Sequence, residues 1–219
     1  MNISDNLTNI LVGLPKNITL IAVSKTQSEN DILNVYSAGH KIFGENKIQE
    51  MTKKWENLPK DIQWHMIGHV QTNKVKYMAK YVYLIHGVDN MKLINVINKQ
   101  GGIHGRIIKC LLQVNISNES NKYGLNESKL FEILEHLKNN DSIYKNIKII
   151  GLMGMASFTN DDKLIKAQFK FLQDLFLKIK KMNSNFTTLS MGMSNDYLIA
   201  INNGSNMIRI GTKIFGKRN

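Results

Sequence analysis

Short apolar runs alternate with amphipathic stretches along almost the whole chain, and this alternation limits the possible folds more than any other feature of the sequence. Thr19 to Ser24 (TLIAVS) reads as a buried strand. Ser28 and Asp31 then have the spacing of a helix N-cap and its partner, Ile32, Leu33, Val35 and Tyr36 form an apolar stripe, and Gly39 ends the helix. The same unit recurs. Strands are expected at 41–44, 62–68, 82–86, 107–115, 147–153, 187–190 and 206–210, with helices at 45–55, 72–80, 90–98, 126–137, around 165–179 and 195–202. In the clearest helix, Ile165, Phe169, Leu172, Leu175, Phe176 and Ile179 recur at intervals suited to a single buried face. Eight strands with helices between them predict an α/β chain folded as a single (β/α)8 barrel of the TIM type, one domain over residues 1–219. An open doubly wound sheet would read the same through the first four units. The chain stops nine residues after Ile210, so the short amphipathic segment from Asp5 to Gly13 is expected to replace a missing C-terminal helix.

Several classes of function are disfavoured at once. No run approaches the roughly 18 apolar residues of a membrane span. The N-terminus lacks the basic start, apolar block and small-residue cleavage site of a secretory signal, and the lone Cys110 has no disulfide partner, so a cytoplasmic protein is expected. The net charge of +12 could suit nucleic acid, but the lysines are scattered and form no basic block or aromatic-interleaved ribbon. A phosphorylated small molecule would suit the same charge. The six histidines show no metal-ligand spacing, and CxxC, HExxH, GxSxG, GxxxxGK[ST] and a strand-borne GxGxxG are all missing, so no metal is expected. Gly101-Gly102 with Gly105 reads as a loop.

In a parallel barrel, function concentrates at the C-terminal ends of the strands. That rule selects Lys25, Asn46, His65, His86, Asn115, Met153 to Met155, Ser190 to Ser194 and Arg209 to Thr212. Lys25 leaves a buried strand, and partial desolvation there would lower its pKa and raise the fraction of nucleophilic amine; a snorkelling surface lysine is the plainer reading. Barrels often bind phosphate after their last two strands, where Ser190-Met191-Gly192-Met193-Ser194 and Arg209-Ile210-Gly211-Thr212 offer hydroxyls and close backbone approach. Arg209 either pairs with a carboxylate such as Glu45 or faces a ligand, and His65 is either a hydrogen-bonded core histidine or a ligand contact.

These residues also carry a family pattern. IAVSKT (21–26), FGEN with IQE (43–50), WHMIGHVQTNK (64–74), HGVD (86–89), LLQVNIS (111–117), NKYG (121–124), GLMGM (151–155), LSMGMSND (189–196) and IRIGTKIFG (208–216) occur in order across nearly the whole chain. The sequence resembles the pyridoxal phosphate homeostasis proteins, small barrels similar to the N-terminal domain of alanine racemase. The resemblance implies a pyridoxal 5′-phosphate (PLP) site in which Lys25 holds the cofactor as a Schiff base. Ser190, Ser194, Gly211 and Thr212 would bind the phosphate, and Met191 in the same loop would also contact the cofactor. Arg209 would lie near the pyridine nitrogen, Asn46 and His65 would line the pocket, and Lys122 would be a second lysine near the mouth. His69 stands where a proline is common, and Gly87 where a small hydroxyl residue is common.

The expected role follows from that site. PLP acts as a strong electron sink when its pyridine nitrogen is protonated, and arginine, with a pKa above about 12, cannot accept that proton. Racemisation also needs a second base, which the resemblance places in a domain that this chain lacks. A carrier that buffers PLP and passes it to apo-enzymes is therefore expected, with no catalytic residue, and the resemblance implies a monomer. A PLP-dependent racemase-like enzyme using Lys122 or His65 is the alternative.

Overall fold

A computed structural model describes residues 2–117, 119 and 123–216. Among them, eight parallel strands run β1 (Thr19–Val23), β2 (Ile42–Glu45), β3 (Gln63–Met66), β4 (Leu84–Val88), β5 (Ile108–Gln113), β6 (Ile147–Met153), β7 (Thr188–Ser190) and β8 (Met207–Ile210). Each pairs with the next, and β8 returns to β1 through Thr19↔Met207, Leu20↔Ile208, Ile21↔Arg209 and Ala22↔Ile210. The sheet is a closed barrel, so the open-sheet alternative is excluded.

The helices are α1 (Ile3–Val12), α2 (Glu29–Ser37), α3 (Ile48–Asn57), α4 (Val75–Met78), α5 (Met91–Ile103), α6 (Glu127–Asn139), α7 (Asp162–Met182), α8 (Tyr197–Asn202) and α9 (Thr212–Phe215). Their starts follow local side-chain chemistry. Ser28 and Asp31 form the reciprocal capping box expected of them, Asn126 Oδ1 accepts from Lys129 N, and Asp161 Oδ1 accepts from Lys163 N and Leu164 N. The segment after β8 does form a helix, but only the four-residue α9. The N-terminal α1 packs beside it, with Leu7 fully buried and Asn6 Nδ2 donating to Ile214 O at 3.1 Å.

Strand parity sorts the core into two shells. Ala22, Phe43, Trp64, Ile85, Cys110, Leu152, Leu189 and Ile208 face outward and meet the helices, including the apolar stripe of α7. Ile21, Leu84, Leu111, Met153 and Met207 point inward and fill the barrel. Each fully buried side chain of this size contributes about 1.5–3 kcal/mol.

Several boundaries differ from the sequence reading by a few residues, and two of the differences have a clear physical cause. Glu45 closes β2, and the helix begins only at Ile48, because Glu45 bridges to Met66 in register before the chain turns. Helix α5 runs through Gly101 and Gly102, which read as a loop. A Cβ at Gly101 would lie 2.6 Å from Asn146 O and 2.8 Å from Arg106 O, so glycine there serves close packing rather than a turn.

Gly151 shows the same demand inside the sheet. It pairs with Leu111 beside a register shift, and a Cβ would come within 1.7 Å of Thr188 O. Gly151→Ala should lower the urea unfolding free energy by about 3 kcal/mol, the upper end of overpacking costs. Gly39→Ala, in open space at φ +92°, should cost about 1–2 kcal/mol. Equal losses in the two variants would contradict this account.

Candidate functional site

The C-terminal mouth gathers most of the residues that strand ends had singled out. Lys25 follows β1 and is half-buried. Gln27 N bonds back to Ser24 O at 3.0 Å, so Ser24 to Gln27 form a tight turn with Lys25 at its second position. Thr26 takes the third position at φ +66°, the only positive φ of a non-glycine residue among those described. A β-branched residue there is strained by about 1–3 kcal/mol and needs its surroundings to hold it. Glu50 Oε1 accepts from Thr26 N at 2.6 Å.

Behind the wall, a polar cluster grips the same turn. Ser24 Oγ donates to Glu45 Oε1 at 2.6 Å. Lys54 reaches in from α3 and donates to Glu45 Oε1 (2.8 Å), Glu50 Oε1 (2.7 Å) and Ser24 O (2.8 Å). Glu45 is fully buried, which pushes its carboxyl above the usual range against the pull of Lys54. Burial also pushes Glu50 upward, but its bonds from Lys54 and Thr26 outweigh that and hold it below the ordinary value. The suggested Arg209–Glu45 pair does not form: Glu45 faces the helix layer, while Arg209 points into the barrel.

Arg209 anchors the inner polar layer, one inward step beyond Met207. Its Nη1 donates to Ser190 Oγ at 2.6 Å and its Nη2 to Gly154 O at 3.1 Å. Burial lowers its pKa to about 10 while nearby Asp196 opposes the shift, so it remains a cation at neutral pH. Ser190 Oγ lies 3.1 Å from His86 Nδ1, and His86 Nε2 lies 3.0 Å from His65 Nδ1. Arginine can only donate, so Ser190 Oγ accepts from Arg209, while the directions of the Ser190–His86 and His86–His65 bonds follow the histidine tautomers. His65 Nε2 is a buried atom without a partner among the described residues. His65 is buried in this layer and stacks on Tyr83, with ring centroids 5.4 Å apart.

The loops after β7 and β8 meet beside Lys25. Gly192 adopts φ +98°, where a Cβ would strike Ala200 at 2.6 Å. Ser194 Oγ accepts from Gly211 N at 3.3 Å and ties the two loops together. Gly211 lies against β1, with a hypothetical Cβ 3.2 Å from Val23 O, two residues before Lys25. Thr212 is exposed and opens α9. Met191 is not brought to the mouth: its side chain is fully buried in the outer shell, and its N–H and C=O bind Met207 O and Ser205 Oγ. Asn46 is half-buried at the end of β2, packed so closely that a Cβ on Gly68 would sit 2.4 Å from its carbonyl oxygen.

The two departures from the family pattern have local explanations. A Cβ at Gly87 would be 2.7 Å from Gly68 O, so the β3 and β4 ends close more tightly than a hydroxyl residue would allow. His69 stacks on Tyr123 with ring centroids 4.0 Å apart. Lys122 lies outside the described residues. Among those described, no three His, Cys, Asp or Glu side chains are grouped to hold a metal, and no helix is long and apolar enough to cross a membrane.

Comparison with known proteins bears directly on this arrangement. Residues 1–219 match the family model described as alanine racemase, N-terminal domain. The pyridoxal phosphate homeostasis protein of Aquifex aeolicus is 36% identical over 201 residues, covering 91% of this chain and 86% of its own. The chain belongs to the pyridoxal phosphate homeostasis family. Another similar structure is PipY of Synechococcus elongatus. Without PLP it superposes with a TM-score of 0.91 at 32% identity, covering 98% of this chain and 100% of its own. With PLP bound, the TM-score is 0.89 at 31% identity, with the same coverage. Membership explains why the motifs cluster at one mouth. Glu50 ends the IQE motif with no role assigned to it and Lys54 lies outside every motif, and only the fold shows that they reach the Lys25 turn. His86, which the strand-end rule selected, lies within β4, two residues after inward-facing Leu84.

The buried imidazoles predict a pH response. Burial pushes His65 down to about 3, with help from the charge of Lys109, and pushes His86 well below 6.5, with help from His65 and Arg209. Below pH 6.5 the unfolded chain therefore takes up protons that the native state refuses. The stability present above that pH is lost as pH falls toward the folded values, at up to about 1.4 kcal/mol per pH unit for each imidazole. Urea unfolding between pH 7.5 and 5 should show this slope, and His65→Gln should make it shallower. An unchanged slope in the variant would contradict the assignment.

Proposed function

We propose that the chain binds PLP as a single barrel domain over residues 1–219, holds it as a Schiff base on Lys25, and buffers and delivers it in the cytoplasm as a monomer. The observation that carries this reading is the seam between β1 and β8. Because these strands pair, the Lys25 turn and the Gly211–Ser194 loops lie at one edge of one mouth.

The donor set fits the chemistry of the group. PLP offers an aldehyde, a phosphate and a pyridine nitrogen. Lys25 supplies the amine, and condensation forms a C=N bond and releases water. Ser194, Thr212 and the close backbone at Gly211 suit a phosphate, as backbone amides at a loop-to-helix junction do. Arg209 lies beneath them, fixed by Ser190 and Gly154, and presents only donors to a ring nitrogen. In this assignment Ser190 serves the nitrogen end through Arg209, Asn46 and His65 border the pocket from the β2 and β3 sides, and Met191 supports the cradle from behind.

Bound PLP would supply an electrophilic carbonyl and a conjugated ring whose electron-withdrawing power depends on nitrogen protonation. Arg209 cannot accept the proton that this requires, so the residues favour holding the cofactor over activating a substrate. His65 is a poor candidate base for the racemase-like alternative, since it is buried in the barrel and its Nδ1 is engaged by His86. PLP-dependent apo-enzymes are the expected recipients.

Borohydride reduction of protein loaded with PLP, followed by peptide mass mapping, should place one pyridoxyl group on Lys25. Lys25→Ala should lose both this label and the visible imine absorbance. Labelling spread over surface lysines, or a Lys25→Ala protein that keeps the absorbance, would overturn the assignment.

A further inference from the structure

We infer that Lys54, clamped between Glu45 and Glu50, is a positioning residue that fixes the backbone of Lys25 from behind the barrel wall and so sets its amine for capture of the aldehyde. The inference rests on the reading of Lys25 as the cofactor lysine.

Lys54 and Glu50 together hold both peptide units that flank Lys25. The carbonyl of Ser24, which belongs to the 24–25 peptide, accepts from Lys54 Nζ at 2.8 Å. The amide of Thr26, which belongs to the 25–26 peptide, donates to Glu50 Oε1 at 2.6 Å. Lys54 joins the two grips by binding Glu50 as well, and Glu45 holds Lys54 and the Ser24 hydroxyl on one oxygen. All three ammonium hydrogens are thereby used. The Cα of Lys25 is pinned through the backbone on both sides.

Stability alone does not account for this cluster. The Lys54 side chain is 7% exposed and that of Glu45 is 0%. Burying such a pair is costly, and an apolar replacement is often neutral or stabilising. The cluster also maintains Thr26 at φ +66°, a conformation that an unrestrained threonine would leave. The consistent explanation is geometric. A lysine on four flexible bonds must bring its nitrogen to a carbonyl carbon held by the phosphate and ring contacts, and a displacement of about 1 Å in such an arrangement costs up to about a hundredfold.

The test separates positioning from general damage by using two ligands. PLP carries the aldehyde, whereas 4-deoxypyridoxine 5′-phosphate has a methyl group there and cannot react with the amine. Affinities for both are measured by titration calorimetry on full-length wild type, Lys54→Met, Glu50→Leu, Glu50→Gln and Lys25→Ala, with thermal unfolding as a control. Lys54→Met and Glu50→Leu should weaken PLP binding by about tenfold to a hundredfold, in line with the cost of misplacement, and leave the deoxy analogue within about twofold. Glu50→Gln keeps an oxygen for Thr26 N–H and should recover most of the loss. Equal weakening of both ligands, or unchanged PLP affinity in Lys54→Met and Glu50→Leu, would overturn the inference. If Lys54→Met does not fold, Glu50→Leu decides alone, since that side chain is 24% exposed at the edge of the cluster. Wild type that binds the two ligands equally, or Lys25→Ala that binds PLP as wild type does, would instead overturn the Lys25 assignment itself.

Discussion

Residues 19–23 and 207–210 lie at opposite ends of the sequence, yet four backbone pairs join them side by side. That closure determines the rest of the molecule. It removes the last exposed edges of the sheet, and it sets the loop after the first strand against the loop after the last. It also places Arg209 opposite Ile21, so that a cation enters the barrel beside the strand that leads to Lys25. Helices α1 and α9 cover this seam from outside, with Leu7 buried and Asn6 bonded to Ile214.

Inside the barrel the apolar filling gives way to a polar layer in which Arg209, Ser190, His86 and His65 are linked in a row, with Arg209 donating to Ser190. Low dielectric strengthens such a chain when each member is paired and penalises any member that is not. Among the described residues, Nε2 of His65 has no partner where this row of groups ends inside the barrel. On the other side of the wall, Glu45, Glu50 and Lys54 form a second polar cluster, separated from the first by the strands themselves. The alternation of side chains along β2 keeps the two apart, which is why Glu45 cannot neutralise Arg209.

Much of this was legible in the sequence. The apolar runs give eight strands, and for β6 the reading matches at both ends, Ile147 and Met153. Caps with distinctive local chemistry, such as Ser28 with Asp31, are likewise readable, because their partners are three residues apart. Strand-end position singled out Lys25, Asn46, Ser194, Arg209 and Gly211, which the barrel gathers at one mouth. What stayed hidden depends on distance along the chain or on strand parity. Lys54 meets Ser24 across 30 positions, and a lysine on an amphipathic helix has no linear mark of burial. Met191 lies between Ser190 and the glycine of its loop, yet the parity of β7 sends it away from the mouth. Gly101 and Gly102 suggest a break, and only their packing against Asn146 and Arg106 shows why the helix continues.

The strained turn at Thr26 has a consequence for timing. A loop that must order itself around each arriving molecule makes uptake slow and lets release happen by simple loosening. Here the corner is already set, with its unfavourable torsion met during folding. If Lys25 holds the aldehyde as proposed, its amine is offered from a corner whose torsion is already held by Glu50 and Lys54 and need not form on arrival.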